Sequence, residues 1–221
     1  MKIYKRILVE NFADYENNQS KLIGERFECN GLVYDIDYAE MNCPLEDSDI
    51  LFLNTLKRYS FGTKEIDSKE GYVKVYPDDF EEPEDIESFL KDNDYIFARV
   101  NAYIHSGIVL SLGNTGGVEF SDRWDSSLAG FLCVRKEKLK EMRGVKRLTQ
   151  NILDKEFKYW EALIEETNYW LNGDVYDVQI TTKDDEPVDC FTSYGLYDLQ
   201  NSIETFMNKD KQWKQWTFQN F

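Results

Sequence analysis

The chain has 221 residues, enough for a sizeable core, with 42 acidic against 26 basic side chains and a formal net charge of −16. Hydrophobic residues at 42% and aromatics at 15% exceed what a disordered chain carries, so the negative mean hydropathy comes from charge, not from a missing core. Such a charge repels phosphate and anionic membrane surfaces, which argues against direct nucleic-acid binding, and no apolar run approaches the roughly 18 residues of a membrane span.

The opening MKIYKRILVE is basic but lacks an apolar signal core, so a cytoplasmic protein is expected. Residues Lys2 to Glu10 place Ile3, Ile7 and Val9 in partial alternation, which suits a strand. Arg26 to Asp37 reads as a hairpin closed at Asn30-Gly31 by a type I′ turn, whose central residues both need positive φ. From Asp35 to Asp49 there are six acids and no base, at a strand end running into loop. Ile50 to Tyr59 is apolar enough for a buried strand or a short helix, which periodicity does not separate, with strand preferred; Tyr72 to Tyr76 alternates as another short strand.

Pro77 to Asp94 carries nine acids against the single Lys91, half the excess charge of the chain. Pro83 suits a first helical turn, Glu84 and Asp85 complement the positive end of a helix, and Ile86, Phe89 and Leu90 make one apolar face. This predicts a short helix whose other face is acidic and solvated. Asp78, Asp79, Glu81, Glu82, Glu84 and Asp85 are its candidate contacts for a basic partner.

Tyr95 to Val100 and Tyr103 to Ser111 are two candidate strands, followed by a loop with Gly113-Asn114 and Gly116-Gly117, then a strand over Gly130 to Arg135. Lys136 to Arg143 predicts a short helix stopped at Gly144. Between Arg135 and Arg147 seven bases face two acids, either a partner surface or an internal complement to the acid elsewhere. Thr149 to Leu171 keeps helical spacing at Ile152, Leu153, Phe157, Trp160, Leu163 and Ile164, with Asn172-Gly173 as the stop. Asp174 to Thr182 and Pro187 to Ser193 read as a hairpin, and the end is a helical start trailing into Trp213, Trp216, Phe218 and Phe221. No repeat or linker splits the chain. The expected architecture is one α+β domain over residues 1–221, with a mainly antiparallel sheet, one long helix packed on a face and short additional helices.

Chemistry-bearing residues are few. Cys29, Cys43, Cys133 and Cys190 form no CxxC pair, and with a single histidine no metal or cofactor is expected. Acid pairs such as Asp184-Asp185 match no EF-hand spacing. His105 and Ser106, with Asp125 and Ser126, supply the residue types of a base, nucleophile and orienter. Adjacent residues of a strand point to opposite faces, so His105 and Ser106 do not pair with each other there. The expected role of His105 is a buried imidazole bonded to the Trp124-Asp125-Ser126 turn.

The segments Tyr103-Ile104-His105-Ser106-Gly107, Trp124 to Phe131 (WDSSLAGF), Val134-Arg135-Lys136-Glu137-Lys138 and Gly173-Asp174-Val175-Tyr176 carry a resemblance. The pattern resembles a family of uncharacterised proteins of bacteriophages and mobile elements with Tyr-x-His-Ser-Gly and Trp-Asp-Ser-Gly-x-x-Gly-Phe segments. Ser127 stands where that pattern has glycine, which puts a different turn after Asp125. The likeness spans about residues 52–197 and leaves out the first fifty residues and the aromatic tail, which with the helical start before it runs over residues 198–221. It implies an accessory protein in the cytoplasm of a bacterial host, acting on a host protein with a basic surface.

Three functions fit these observations. One is a non-enzymatic inhibitor of a host defence nuclease or effector complex, of the anti-CRISPR or anti-restriction type, presenting carboxylates where phosphates normally sit. A second is an enzyme or small-ligand module centred on His105 and Asp125. The third is a virion structural or assembly protein whose aromatic tail lies in an oligomer interface.

Overall fold

In a computed structural model, residues 24–29, 31–46, 48–69, 74–113 and 126–206 are described. The strand expected at Lys2 to Glu10, the residues Trp124 and Asp125, and the aromatic tail from Trp213 to Phe221 lie outside them. The elements run β1 (Glu25–Cys29), β2 (Leu32–Tyr38), β3 (Leu51–Asn54), β4 (Ile66–Asp67), β5 (Lys74–Val75), α1 (Pro83–Asp92), β6 (Tyr95–His105), β7 (Gly107–Leu112), β8 (Ser126–Arg135), α2 (Lys136–Met142), α3 (Gln150–Leu171), β9 (Val175–Thr182), β10 (Pro187–Tyr194) and α4 (residues 196–206). This is the α+β class with antiparallel sheets.

The described residues group into two compact units: residues 24–41 with 173–206, and residues 42–172. The sequence hides this because no linker marks it. The second unit is inserted between β2 and β9, which are hydrogen-bonded neighbours in one sheet.

The first unit is a sheet of order β1-β2-β9-β10, all pairs antiparallel. Its first hairpin follows the sequence: Cys29 sits opposite Leu32, and Gly31 takes φ +85° at the two-residue turn, Asn30 itself being outside the described residues. The two-residue period of a strand puts Tyr34 and Ile36 of β2 on the same face as Tyr176, Val178 and Ile180 of β9. Leu196, Leu199 and Ile203 of α4 close over them as this unit's core.

In the second unit the sheet order is β3-β8-β6-β7, again antiparallel, with helices on both faces. The 22-residue α3 lays Trp160, Leu163 and Ile164 against Ala98, Val100, Leu110, Leu132 and Val134. On the opposite face Ile86 and Leu90 of α1 meet Leu53, Tyr95, Phe131 and Cys133. The two strands expected over Tyr95 to Ser111 are β6 and β7, but β6 runs on past Val100 to His105 and the break falls at Ser106. Asn101 does not break β6, because a bulge in β8 absorbs the irregularity between Val100 and Asn101.

That bulge depends on Gly130, at φ +150°. A Cβ built there would stand 2.0 Å from the carbonyl oxygen of Leu53 on β3. No helix among the described residues is long and apolar enough to cross a membrane.

Replacing Gly130 by alanine forces the edge strand β3 away from β8. The expected loss is about 3 kcal/mol or more, read from urea unfolding of Gly130→Ala beside the parent. A loss below about 1 kcal/mol would show that the strands close without the contact described.

Candidate functional site

The histidine stands at the end of a hairpin. His105 is the last residue of β6 and faces Gly107 in register, while Ser106 makes the reversal at φ +55°. The imidazole is exposed and stacks on Tyr103 of the same strand face, with ring centroids 6.2 Å apart and planes inclined by 30°. This corrects the expectation of a buried histidine: eleven unbroken residues of β6 carry it out to the tip. Ser106 is a turn residue in the left-handed region, so its hydroxyl is not on a strand face at all. The last described pair between β6 and β8 is Tyr103 with Ser126; Asp125 and the side chain of Ser126 lie outside the described residues. Of the four candidate residues, the described ones are thus an exposed His105 and the turn residue Ser106 beside it. No group of three or more His, Cys, Asp or Glu among the described residues could hold a metal ion. Of the thiols described, Cys43 and Cys133 are buried and Cys190 is exposed, and burial pushes the Cys133 thiol far up.

The acidic stretch is built from one local device used twice. Tyr76-Pro77-Asp78-Asp79 and Glu82-Pro83-Glu84-Asp85 both place proline in the first helical turn, which needs no N–H there. The aspartate two residues after each proline reaches back to accept a backbone N–H, Asp79 from Tyr76 at 2.8 Å and Asp85 from Glu82 at 3.2 Å. Two of the six candidate contact acids therefore have one oxygen turned to the backbone.

A third is held by the sheet. Arg99 projects from β6 on the α1 side and donates to Glu84 at 2.8 Å and to Glu87. Glu87 also faces Lys91 at 3.7 Å, one turn on. Asp78 lies 3.9 Å from Lys57, with both side chains almost fully exposed, a contact of little energy. Glu81 and Glu82 are exposed at the head of α1. The acids between Asp35 and Asp94 do not belong to one unit. Asp35 and Asp37 sit on β2, on the sheet face turned away from α4, and the helical acids belong to the second unit.

Four of the seven bases between Arg135 and Arg147 are an internal complement. Arg135 donates to the carbonyls of Asp67 and Ser68 and stacks on Tyr95 at 4.8 Å. Lys136 reaches Asp94 at 3.4 Å, and Lys138 reaches Asp49 at 3.7 Å. Arg143 binds the buried Glu156 at 2.7 Å, and Glu156 also accepts the indole N–H of Trp160 at 2.9 Å. Sequence reading missed Arg99. Its signal was a lone cation within the apolar run of β6, which needs a carboxylate to sit half-buried.

No protein-family model, curated protein or solved structure matches this chain.

Ion pairing sets an acid limit on the second unit. Lys69, then Lys136, hold the Asp94 carboxyl below its ordinary value, and Arg99 does the same for Glu84. A depressed carboxylate contributes stability above its unfolded pKa and loses it as pH falls through the folded one, so the loss belongs below about pH 4.5. Arg99→Met should flatten the fall in melting temperature between about pH 5 and 3 relative to the parent. Parallel curves for the two proteins would show that the pair does not couple to folding.

Proposed function

We propose that this chain is an acidic, non-enzymatic binding protein that engages a basic surface of a host defence protein, as a phage accessory protein of the anti-CRISPR or anti-restriction kind. The family resemblance supplies the phage setting, and one structural observation supports the binding mode. At the head of α1, Glu81 and Glu82 are exposed, while the neighbouring cations Arg99, Lys91, Lys69 and Lys136 pair with Glu84, Glu87 and Asp94. What points outward there is carboxylate, held just ahead of a helix whose start is locked by proline and aspartate. A rigid array of like charge favours a partner of opposite sign, because the cost of holding those charges together is met before binding.

The acidic array also resembles a phosphate track in charge, so a nucleic-acid cleft of a host nuclease is the surface it fits. The engagement of Arg135, Lys136, Lys138 and Arg143 within the chain, together with the net charge of −16, supports a protein partner over direct binding of nucleic acid.

Cleavage by a purified restriction nuclease or CRISPR effector, measured with this chain in molar excess, tests the reading. Inhibition is expected at low salt, weakening about tenfold or more as NaCl rises from about 50 to 300 mM. The double variant Glu81→Gln, Glu82→Gln should inhibit several-fold less well with an unchanged melting temperature. Inhibition insensitive to salt and to these substitutions would remove the charge mechanism, and full cleavage by every nuclease tried would remove the function.

A further inference from the structure

The first unit carries a groove of about 420 Å³ between its edge strand β10 and helix α4. It exists because α4 seats its apolar side, Leu199 and Ile203, over the sheet, leaving its other flank beside the outermost strand. Asp198, Asn201, Ser202 and Thr205 recur at the helical period and form that flank. Phe206 lies at the last turn, edge-to-face with Tyr34 at 6.3 Å. Across from them, Asp189 and Phe191 alternate on β10 toward the same side.

Every titratable group lining this groove is a carboxylate. Both are oriented by backbone: Asp189 accepts the N–H of Cys190 at 2.9 Å, and Asp198 accepts that of Tyr194 at 3.2 Å. These two bonds take up N–H groups of the edge strand, so the groove is unsuited to adding another strand and suited to reading a side chain. Its chemistry is two carboxylates, two aromatic rings and a row of side-chain acceptors. A guanidinium on an alkyl stem matches all three at once: a planar cation for the carboxylates, donors for Asn201, Ser202 and Thr205, and a flat face and stem for Phe191 and Phe206. An ammonium matches only the charge.

We propose that the groove between β10 and α4 takes an arginine side chain from a basic segment of the partner protein. This rests on the reading above that the partner is basic, and adds where and by which residue type it is recognised.

The probe is a fluorescein-labelled peptide of alternating arginine and glycine, titrated by anisotropy at low salt against the intact chain. The arms are the parent, the double variant Asp189→Asn, Asp198→Asn, the single variant Thr205→Lys, and Glu81→Gln with Glu82→Gln. Asparagine keeps an acceptor for the Cys190 and Tyr194 N–H groups, and residue 205 is an exposed helix position, so an unchanged unfolding midpoint is expected in each. The groove variants should bind about tenfold more weakly, the α1 variant should bind within about twofold of the parent, and a lysine-for-arginine peptide should bind the parent several-fold more weakly. Groove variants that bind as the parent does, with the α1 variant weakened, would overturn the groove and leave the acidic array standing. Equal weakening in all arms would reduce binding to diffuse attraction and overturn the groove as well. No binding by the parent at low salt would overturn the groove and leave the reading it rests on to the cleavage test.

Discussion

A shortage of positive charge governs this molecule. With 26 cations for 42 acids, each cation placed inside the structure leaves more carboxylate facing water. The inner placements are those the packing needs most. Glu156 is buried on the inner face of α3 and would be very costly there alone, so Arg143 reaches it from the end of α2 while the Trp160 indole donates from the same helix face. Arg99 ties α1 to the sheet where Ile86 and Leu90 supply only a narrow apolar contact. Arg135 spans two carbonyls and an aromatic ring. Once these are assigned, the remaining surface repels itself. One sign is the register of β2 and β9, which sets Asp37 directly opposite Asp177, an arrangement that costs stability in an isolated sheet.

Sheet edges are managed with the same economy of side chains. The outer edge of β7 meets Asn168 of α3, whose amide accepts the N–H of Leu110 at 2.7 Å and donates to its carbonyl at 2.9 Å, as a neighbouring strand would. Beyond β3, Thr63 exchanges backbone bonds with Phe52 and Asn54 at 2.8 Å each. The buried Asn54 holds that loop by donating to the carbonyls of Tyr59 and Phe61. On β10 the work falls to Asp189 and Asp198, so the acids that blunt an edge are also those lining the groove beside α4.

Local structure was legible where it has a local cause. The Asn30-Gly31 turn, the proline-led start of α1, the stops at Gly144 and Gly173, and the six apolar positions of α3 each follow from one residue's φ preference or one helical period. What was not legible depends on partners far along the chain. The bulge at Gly130 is set by a carbonyl of Leu53, and Asn54 and Asn168 look like ordinary polar residues until a loop or an edge strand needs their amides. His105 misled for a related reason. A lone histidine between strand-like segments reads as core, and only the unbroken length of β6 places it at a hairpin tip. The division into two units was invisible because hydrogen bonding between β2 and β9, not a linker, joins the ends of the inserted segment.

The internal ion pairs leave an acid surface whose self-repulsion weighs on the isolated chain. The urea midpoint of the intact chain, measured at about 10 mM and about 500 mM NaCl, tests this directly, because salt screens exposed repulsion far more than half-buried pairs. A higher midpoint is expected in high salt. A lower one would mean that surface attraction between this chain's own charges dominates, and that its excess acid is already compensated within the fold.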